Sequence, residues 1–162
     1  VLGIPSNCLQ TNGYSLARKL FFEVGGHKAD TFIEELGTTA GEALLATHQS
    51  FLPQIGPLLD GGRIKGLAHI TGGGFLENIP RILPEGVGVE INRGSWPELP
   101  IFGLMQSLGN VADHEMFRTF NMGIGMVIVC SESDSNSIAG HLPDCHKIGR
   151  VVSGFDPEVK LV

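Results

Sequence analysis

Ile-Lys-Gly-Leu-Ala-His-Ile-Thr-Gly-Gly-Gly-Phe-Leu-Glu-Asn-Ile-Pro-Arg-Ile-Leu, from Ile64 to Leu83, is the stretch of sequence that decides the fold. Its first part, residues 64–70, is a short apolar run that predicts a buried strand. Three consecutive glycines at 72–74, called the glycine turn below, interrupt this run. Apolar residues then recur with helical spacing over residues 75–83. The stretch therefore predicts a strand, a turn and a helix in that order.

The glycine turn leaves two functional interpretations open. Consecutive glycines permit positive φ and leave backbone amides uncovered by any Cβ. A turn of this kind before a helix can hold an anion such as a phosphate. His69 and Thr71 flank the turn and could direct their side chains into the same space. Alternatively, the turn is a tight connection that binds nothing, since glycine-rich turns are common.

Length and composition limit the possible classes of protein. The chain has 162 residues, 42% hydrophobic and 17% charged, which predicts one globular domain over residues 1–162. A formal net charge of -6 argues against non-specific nucleic-acid binding, because no basic stripe is present to neutralise phosphates. No apolar run approaches the roughly 18 residues of a membrane span. Three cysteines without C-x-x-C spacing indicate free thiols rather than disulfides or a zinc site, so we expect a cytoplasmic protein.

The remaining pattern predicts an α+β domain, in which helices cover one face of a mixed β-sheet. Helical spacing predicts helices over residues 16–24, 41–59 with breaks at its prolines, 101–108, 112–120 and 131–142. Apolar and alternating runs predict strands over residues 87–91, 124–130 and 147–153, with the second of these at the centre of the sheet. Residues 27–40 are predicted to form a surface excursion with a short helical island at 32–36.

The sequence shows no self-contained catalytic centre. Five of the six histidines lie in different elements without metal-ligand spacing, and we expect them to be surface or capping residues: His27, His48, His114, His141 and His146. His69 ends an apolar strand, and a core position satisfied by hydrogen bonds is the favoured interpretation for it. A second candidate anion site is the polar segment 6–13, which precedes the predicted helix at 16–24, although a plain capped loop is the favoured interpretation.

Four segments carry a resemblance to a known enzyme family. One is Gly-Leu-Ala-His-Ile-Thr-Gly-Gly-Gly-Phe-Leu-Glu-Asn-Ile-Pro-Arg-Ile-Leu-Pro at 66–84. The others are Thr-Asn-Gly-Tyr-Ser-Leu-Ala-Arg-Lys at 11–19, Gly-Glu-Ala-Leu-Leu at 41–45 and Met-Phe-Arg-Thr-Phe-Asn-Met-Gly-Ile-Gly-Met at 116–126. In order and spacing they resemble the phosphoribosylformylglycinamidine cyclo-ligases, also called aminoimidazole ribonucleotide synthetases, over nearly the whole chain.

The resemblance implies that the chain is the C-terminal half of a two-domain, homodimeric ligase of purine biosynthesis. In that family the N-terminal half carries the metal-binding aspartates and most of the ATP site. ATP and Mg2+ would therefore be bound mainly by a domain outside this chain. Within this chain we expect no bound cofactor or metal. The family reaction uses ATP to phosphorylate the formamide oxygen of formylglycinamidine ribonucleotide. An internal amine then closes the imidazole ring and expels phosphate.

Within that reaction, the resemblance implies that this chain supplies one wall of the substrate cleft and is inactive alone. It leaves the catalytic residues unknown. The residues expected to bind the ribonucleotide are Ser6, Gln10, Asn12, Gly13, His69, Thr71, Gly72, Gly73, Gly74 and Asn121.

Two departures from the family pattern leave the activity open. Segment 6–13 has Gln10 where the family usually has a histidine, and glutamine cannot act as an acid or base near neutral pH. Segment 46–51 has Gln49 where the family usually has an arginine, which is a bidentate binder of phosphate or carboxylate. The chain is therefore either part of a divergent active ligase or a non-catalytic paralogue. Such a paralogue would bind a phosphorylated metabolite or act as a dimerisation module.

Overall fold

The computed structural model describes residues 1–142, 144–154 and 156–162. In these residues the chain forms seven α-helices and nine strands. The helices are α1 (Tyr14–Arg18), α2 (Ala40–Leu44), α3 (Leu52–Leu59), α4 (Gly74–Asn78), α5 (Pro100–Gly109), α6 (Asp113–Thr119) and α7 (Glu132–Gly140). The strands are β1 (Leu2–Pro5), β2 (Phe32–Ile33), β3 (Thr38–Thr39), β4 (Ile64–His69), β5 (Val87–Ile91), β6 (Ile124–Cys130), β7 (His146–Lys147), β8 (Gly149–Ser153) and β9 (Val159–Leu161).

A four-stranded antiparallel sheet in the order β4-β6-β1-β7 lies at the centre of the domain. β6 is an interior strand, as its apolar, β-branched sequence predicts. Two successive residues of β6, Val127 and Ile128, are both fully buried but belong to different hydrophobic clusters, because successive side chains point to opposite faces of a sheet. The sheet is therefore covered on both faces.

The larger hydrophobic cluster packs helices α1, α5 and α6 against one side of this sheet. At its centre Phe75 stacks on Trp96 at a ring-centroid distance of 5.7 Å and meets Phe117 edge-on at 5.6 Å. Aromatic pairs of this geometry contribute about 0.5–1.5 kcal/mol beyond the area they bury. Because Phe75 lies in the first turn of α4, this packing fixes the helix that follows the glycine turn.

The smaller cluster lies on the opposite side and includes residues of α3 and α7, among them Ile55 and Ile138. Two further sheets complete the domain. β5 pairs antiparallel with β8 and parallel with β9, and β2 and β3 form a short hairpin. None of the helices in the described part of the chain is long and apolar enough to cross a membrane.

The predicted α+β class is confirmed, and so are the strands at 87–91 and 124–130 and the helices at 101–108, 112–120 and 131–142. The expectation that helices cover only one face of the sheet was wrong, because α3 and α7 pack against the second face. Helix 16–24 is also present, although its second half, Lys19–Val24, is wound as a π-helix. The pattern over residues 41–59 gives two separate helices, α2 and α3, with an irregular loop between them.

One strand was missed, and two predictions were wrong in detail. The sequence showed no sign of β1, which pairs with both β6 and β7. The expected helical island at 32–36 begins as strand β2, where Phe32 is exposed and Ile33 is buried, and only Glu34–Leu36 forms a helical turn, of 3-10 type. The single strand expected at 147–153 is divided between β7 and β8, which belong to different sheets.

Candidate functional site

The strand and the turn predicted for the opening stretch are confirmed, whereas the helix predicted over residues 75–83 is divided into α4 and a 3-10 turn at Pro80–Ile82. β4 ends at His69, and α4 begins directly after Gly73, which has a φ of 98°. Gly74 has a φ of 55°, and a Cβ placed on it would lie only 2.0 Å from the backbone oxygen of Phe117. Glycine is therefore required at this position both by backbone conformation and by the close approach of α6.

Asn78, at the end of α4, holds the glycine turn in place. Its Nδ2 group donates to the backbone oxygens of Thr71, Gly72 and Gly74 at 3.3, 3.2 and 2.8 Å. Its Oδ1 atom accepts from the Thr71 hydroxyl at 3.2 Å and from Arg81 at 3.4 Å. Asn78 is 6% exposed, and the sequence analysis did not single it out. An Asn four residues beyond a glycine run was the only signal that could have identified it.

Gln10 lies in the loop between β1 and α1, in the left-handed region with a φ of 61°. It is only 2% exposed, yet neither its Nε2 nor its Oε1 atom has a hydrogen-bond partner. The side chain lies against Gly125 of β6, where a Cβ would come within 2.6 Å of Nε2. A buried primary amide without partners is destabilising by about 1–3 kcal/mol, and groups of this kind call for an explanation.

Asn12 and His69 present unpartnered polar atoms at the same place. Asn12 Nδ2 and His69 Nε2 are both buried without a hydrogen-bond partner. The Oδ1 atom of Asn12 lies 3.4 Å from the position that a Cβ on Gly72 would take. His69 is paired with β6 next to Gly125, because the amide of Ile70 donates to the Gly125 oxygen.

These groups define one feature, called the polar crevice below: Gln10, Asn12, His69 and the glycine turn. In the described part of the chain, only one buried side-chain atom without a partner lies outside these three side chains, Oε1 of Gln54. Gly72 is exposed and Gly73 is half-buried, and the amides of both donate no hydrogen bond to any described residue. Unsatisfied donors and acceptors thus concentrate where the strand, the glycine turn and the loop 6–13 meet, as expected of a site that hydrogen-bonds a ligand.

His69 is half-buried, and it is not the satisfied core histidine that the sequence favoured. Burial lowers its pKa below 6.5, and the neighbouring His48 lowers it further. The two rings are 5.4 Å apart, and the ring of Phe51 lies 5.8 Å from His69. His69 is therefore a neutral imidazole at neutral pH, able to donate or accept one hydrogen bond at Nε2.

His48 was expected at the surface, but it is half-buried beside His69, and its Nδ1 atom lies 3.4 Å from the Thr11 hydroxyl. It belongs to the loop 45–51, which is attached to the loop 6–13. Asn7 donates to the Thr47 oxygen at 3.0 Å, and Gln49 donates to the Pro5 oxygen at 3.1 Å. The amide of Gln49 is thus used to join the loop 45–51 to the end of β1.

Two cavities open beside this wall and share His48. One of about 370 Å³ is lined by His48, Gln49, Ser50, Phe51, Leu52, Ile55, Leu67, His69 and Met126. The other, of about 470 Å³, is lined by Gln10, Thr11, Tyr14, Leu44, Leu45, Ala46, Thr47 and His48. A larger cavity of about 520 Å³ lies elsewhere, beside Val1, Cys130 and Lys147, but no buried unpartnered side-chain atom of a described residue faces it.

Ser6, Gly13 and Asn121, which were also expected to bind substrate, shape the loop 6–13. Asn121 accepts at Oδ1 from the Ser6 hydroxyl at 2.8 Å and donates from Nδ2 to the Cys8 oxygen at 2.9 Å. Gly13 has a φ of 76°, precedes α1 and packs tightly against Phe120. Ser6 and Asn121 therefore hold the loop that carries Gln10 and Asn12, and the expected residues with unpartnered side-chain atoms are Gln10, Asn12 and His69.

The chemistry of the crevice is that of a binding surface. Its side chains are neutral amides and imidazoles, and the three side chains that define it include no carboxylate, lysine or arginine. Within residues 1–142, 144–154 and 156–162, no three His, Cys, Asp or Glu side chains are grouped so that they could hold a metal ion. The crevice can orient a polar ligand, but it holds no evident nucleophile.

Comparisons with a family model and with individual proteins indicate the same family. A family model described as "AIR synthase related protein, C-terminal domain" matches residues 1–162. The phosphoribosylformylglycinamidine cyclo-ligase of Alkaliphilus oremlandii is 49% identical over 158 residues, which are 95% of this chain and 46% of that protein. The protein of the same name from Acetivibrio thermocellus is 46% identical over 157 residues, which are 94% and 46% of the two chains. The chain thus spans about half the length of these relatives.

A solved structure shares the fold at much lower sequence identity. The crystal structure of HypE from E. coli, a hydrogenase maturation protein, superposes with a TM-score of 0.54 at 20% identity. The match covers 99% of this chain and 47% of that one.

Proposed function

The chain belongs to the AIR synthase related family as its C-terminal domain, and from this premise we propose that it is the substrate-cleft part of an ATP-dependent cyclo-ligase. The proposed reaction converts formylglycinamidine ribonucleotide to aminoimidazole ribonucleotide in purine biosynthesis. The similarity to two cyclo-ligases at 46–49% identity supports this proposal. Because the chain spans about half of those relatives, we propose a two-domain protein whose isolated C-terminal half is inactive.

The observation that carries the proposal is the polar crevice. Three buried or half-buried side chains with unpartnered polar atoms lie beside two unpartnered glycine amides. A ribonucleotide offers hydroxyl, amidine and phosphate groups to such a wall. The amides of Gly72 and Gly73 are donors suited to phosphate oxygens, while Gln10 and Asn12 suit groups that both donate and accept.

The role of this wall in the reaction follows from the chemistry of ring closure. The attacking amine and the activated carbon belong to the same molecule, so the enzyme gains most by holding the substrate in a folded conformation. Side chains that are already buried and positioned can do this without a large loss of conformational entropy on binding. His69 would act as a neutral hydrogen-bonding group, because burial and His48 hold its pKa below 6.5.

The proposed role leaves phosphoryl transfer to the rest of the protein. ATP supplies the phosphoryl group that activates the formamide oxygen, and Mg2+ would accompany it. Amide and imidazole donors are poor ligands for Mg2+, which prefers carboxylate and phosphate oxygens. We therefore assign ATP and Mg2+ mainly to the N-terminal domain, and propose a cytoplasmic homodimer that binds neither nucleic acid nor a membrane.

A second candidate function is a non-catalytic paralogue that binds a phosphorylated metabolite or serves as a dimerisation module. Its support is the side chain of Gln49, which bonds the Pro5 oxygen and leaves this segment without the cation that the family pattern usually has there. Gln10, likewise, cannot take part in proton transfer.

The two candidates are separated by assaying the full-length protein with formylglycinamidine ribonucleotide, ATP and Mg2+. The cyclo-ligase predicts formation of ADP and of the aminoimidazole product in equal amounts. If calorimetry detects ribonucleotide binding but no ADP forms at saturating substrate, the metabolite-binding paralogue replaces it. Absence of both binding and turnover would contradict the substrate-wall assignment.

A further inference from the structure

The best-connected side chain near the polar crevice is one that the proposed function does not yet use. Asn78 makes five hydrogen bonds, three donated to backbone oxygens of residues 71–74 and two accepted at Oδ1. Building on the proposed function, we propose that Asn78 is a positioning residue for ligand binding. It holds the carbonyl groups of the glycine turn so that the amides of Gly72 and Gly73 stay available to an anionic group of the substrate.

The first step of the argument is the division of hydrogen bonds in the turn. The oxygens of Gly72 and Gly74 are both occupied by the Asn78 side chain. The amides of Gly72 and Gly73 have no partner among the described residues. An asparagine side chain that gathers the acceptors of a turn therefore leaves its donors for another molecule, and donors of successive residues suit an anion.

The second step is that the backbone of residues 71–74 makes one hydrogen bond within the turn, from the Gly74 amide to the Thr71 oxygen at 3.0 Å, so the Asn78 side chain adds most of the hydrogen bonds that hold the turn. Glycines have the greatest conformational freedom of any residue, and Gly73 and Gly74 both have positive φ. Ordering a flexible binding loop on ligand binding lowers affinity, whereas a preorganised loop does not carry this cost. Asn78 is itself fixed, because it is 6% exposed and its Oδ1 atom is held by Thr71 and Arg81.

The third step concerns Thr71, which was expected to bind substrate directly. Its hydroxyl donates to Asn78 Oδ1 at 3.2 Å, so this proton is already used. Thr71 would then support the turn through Asn78, leaving its oxygen lone pairs for a ligand.

The test compares Asn78→Asp with wild type in the full-length protein. Aspartate keeps the shape and the acceptor, but it directs a carboxylate oxygen at three carbonyl oxygens. We expect the KM for the ribonucleotide to rise at least tenfold while kcat changes less than threefold. Asn78→Ser, which removes the amide without adding charge, should show the same split with a smaller rise in KM, and serves if the aspartate variant does not fold.

The control is Ile138→Ala, a buried position in α7 on the other side of the central sheet. It should lower the melting temperature without raising KM. Selective 15N-glycine labelling gives a readout independent of activity, because the Asn78 variants should shift the amide resonances of residues 72–74 and the control should not. Unchanged KM and unchanged glycine resonances in the Asn78 variants would overturn the proposal. If the wild type neither binds nor converts the ribonucleotide, the proposed function fails, while the resonances still test the role of Asn78.

Discussion

Replacing Gly74 with alanine tests whether the glycine turn depends on the close approach of α6. Alanine at a φ of 55° is strained by about 1–2 kcal/mol, as any L-residue is in the left-handed region. Its Cβ would also lie 2.0 Å from the Phe117 oxygen, so the backbone of α6 must move. Overpacking of this kind adds about 1–3 kcal/mol, which brings the expected destabilisation to about 3 kcal/mol.

Gly62→Ala is the matched control for this substitution. Gly62 has a φ of 62°, close to that of Gly74, but no atom lies within 4 Å of the position its Cβ would take. It should lose only the conformational part, about 1 kcal/mol. Scanning calorimetry should therefore show a fall in melting temperature of about 6–12 °C for Gly74→Ala and of about 2–4 °C for Gly62→Ala. Equal losses would refute the argument that α6 confines the turn.

The other predictions concern the wall of the crevice. By NMR titration, His69 should have a pKa below 6.5, and His48→Gln should raise it without restoring the ordinary value, because burial is the larger cause. With this lowered pKa the native state binds fewer protons than the unfolded state below about pH 6.5. The part of the stability that is linked to His69 should therefore fall as the pH drops below about 6.5 and be constant above it. A measured pKa at or above 6.5 would contradict the assignment of a neutral imidazole. Asn121→Ala leaves the buried Cys8 oxygen and Gly123 amide without their partner and should destabilise the protein by about 3 kcal/mol in urea unfolding. A loss below about 0.5 kcal/mol would show that this side chain does not hold the loop 6–13.

Local patterns were enough to predict much of the fold. The apolar run at 64–70, the glycines and the helical spacing that follows are signals within a single stretch, and each corresponds to an observed element. β1 escaped prediction because a strand of four residues ending in proline shows no alternation, and its pairing with β6 joins residues more than 100 positions apart. Such pairing cannot be inferred from periodicity.

The candidate site was predictable only in part, for a similar reason. His69 was noted for its place beside the glycine turn, and Gln10 and Asn12 were selected through a resemblance, but their unpartnered atoms arise from the packing of separate loops against Gly125 and Gly72. His48 was dismissed because it has no partner at helical or strand spacing, and it meets His69 only through the folded loop 45–51. Side chains brought together by irregular loops leave no periodic signal in a single sequence.

The most direct test of the central claim, that the polar crevice binds the ribonucleotide, is to measure stability and affinity of Gln10→Met in the full-length protein. Methionine keeps the length of the side chain and removes two buried polar atoms that have no partner. Relief of this unsatisfied amide should stabilise the free protein by about 1 kcal/mol, a rise of about 2–4 °C in melting temperature. Calorimetry should at the same time show at least tenfold weaker binding of formylglycinamidine ribonucleotide. Unchanged affinity, or a free protein that loses stability, would contradict the assignment of Gln10 to a ligand site.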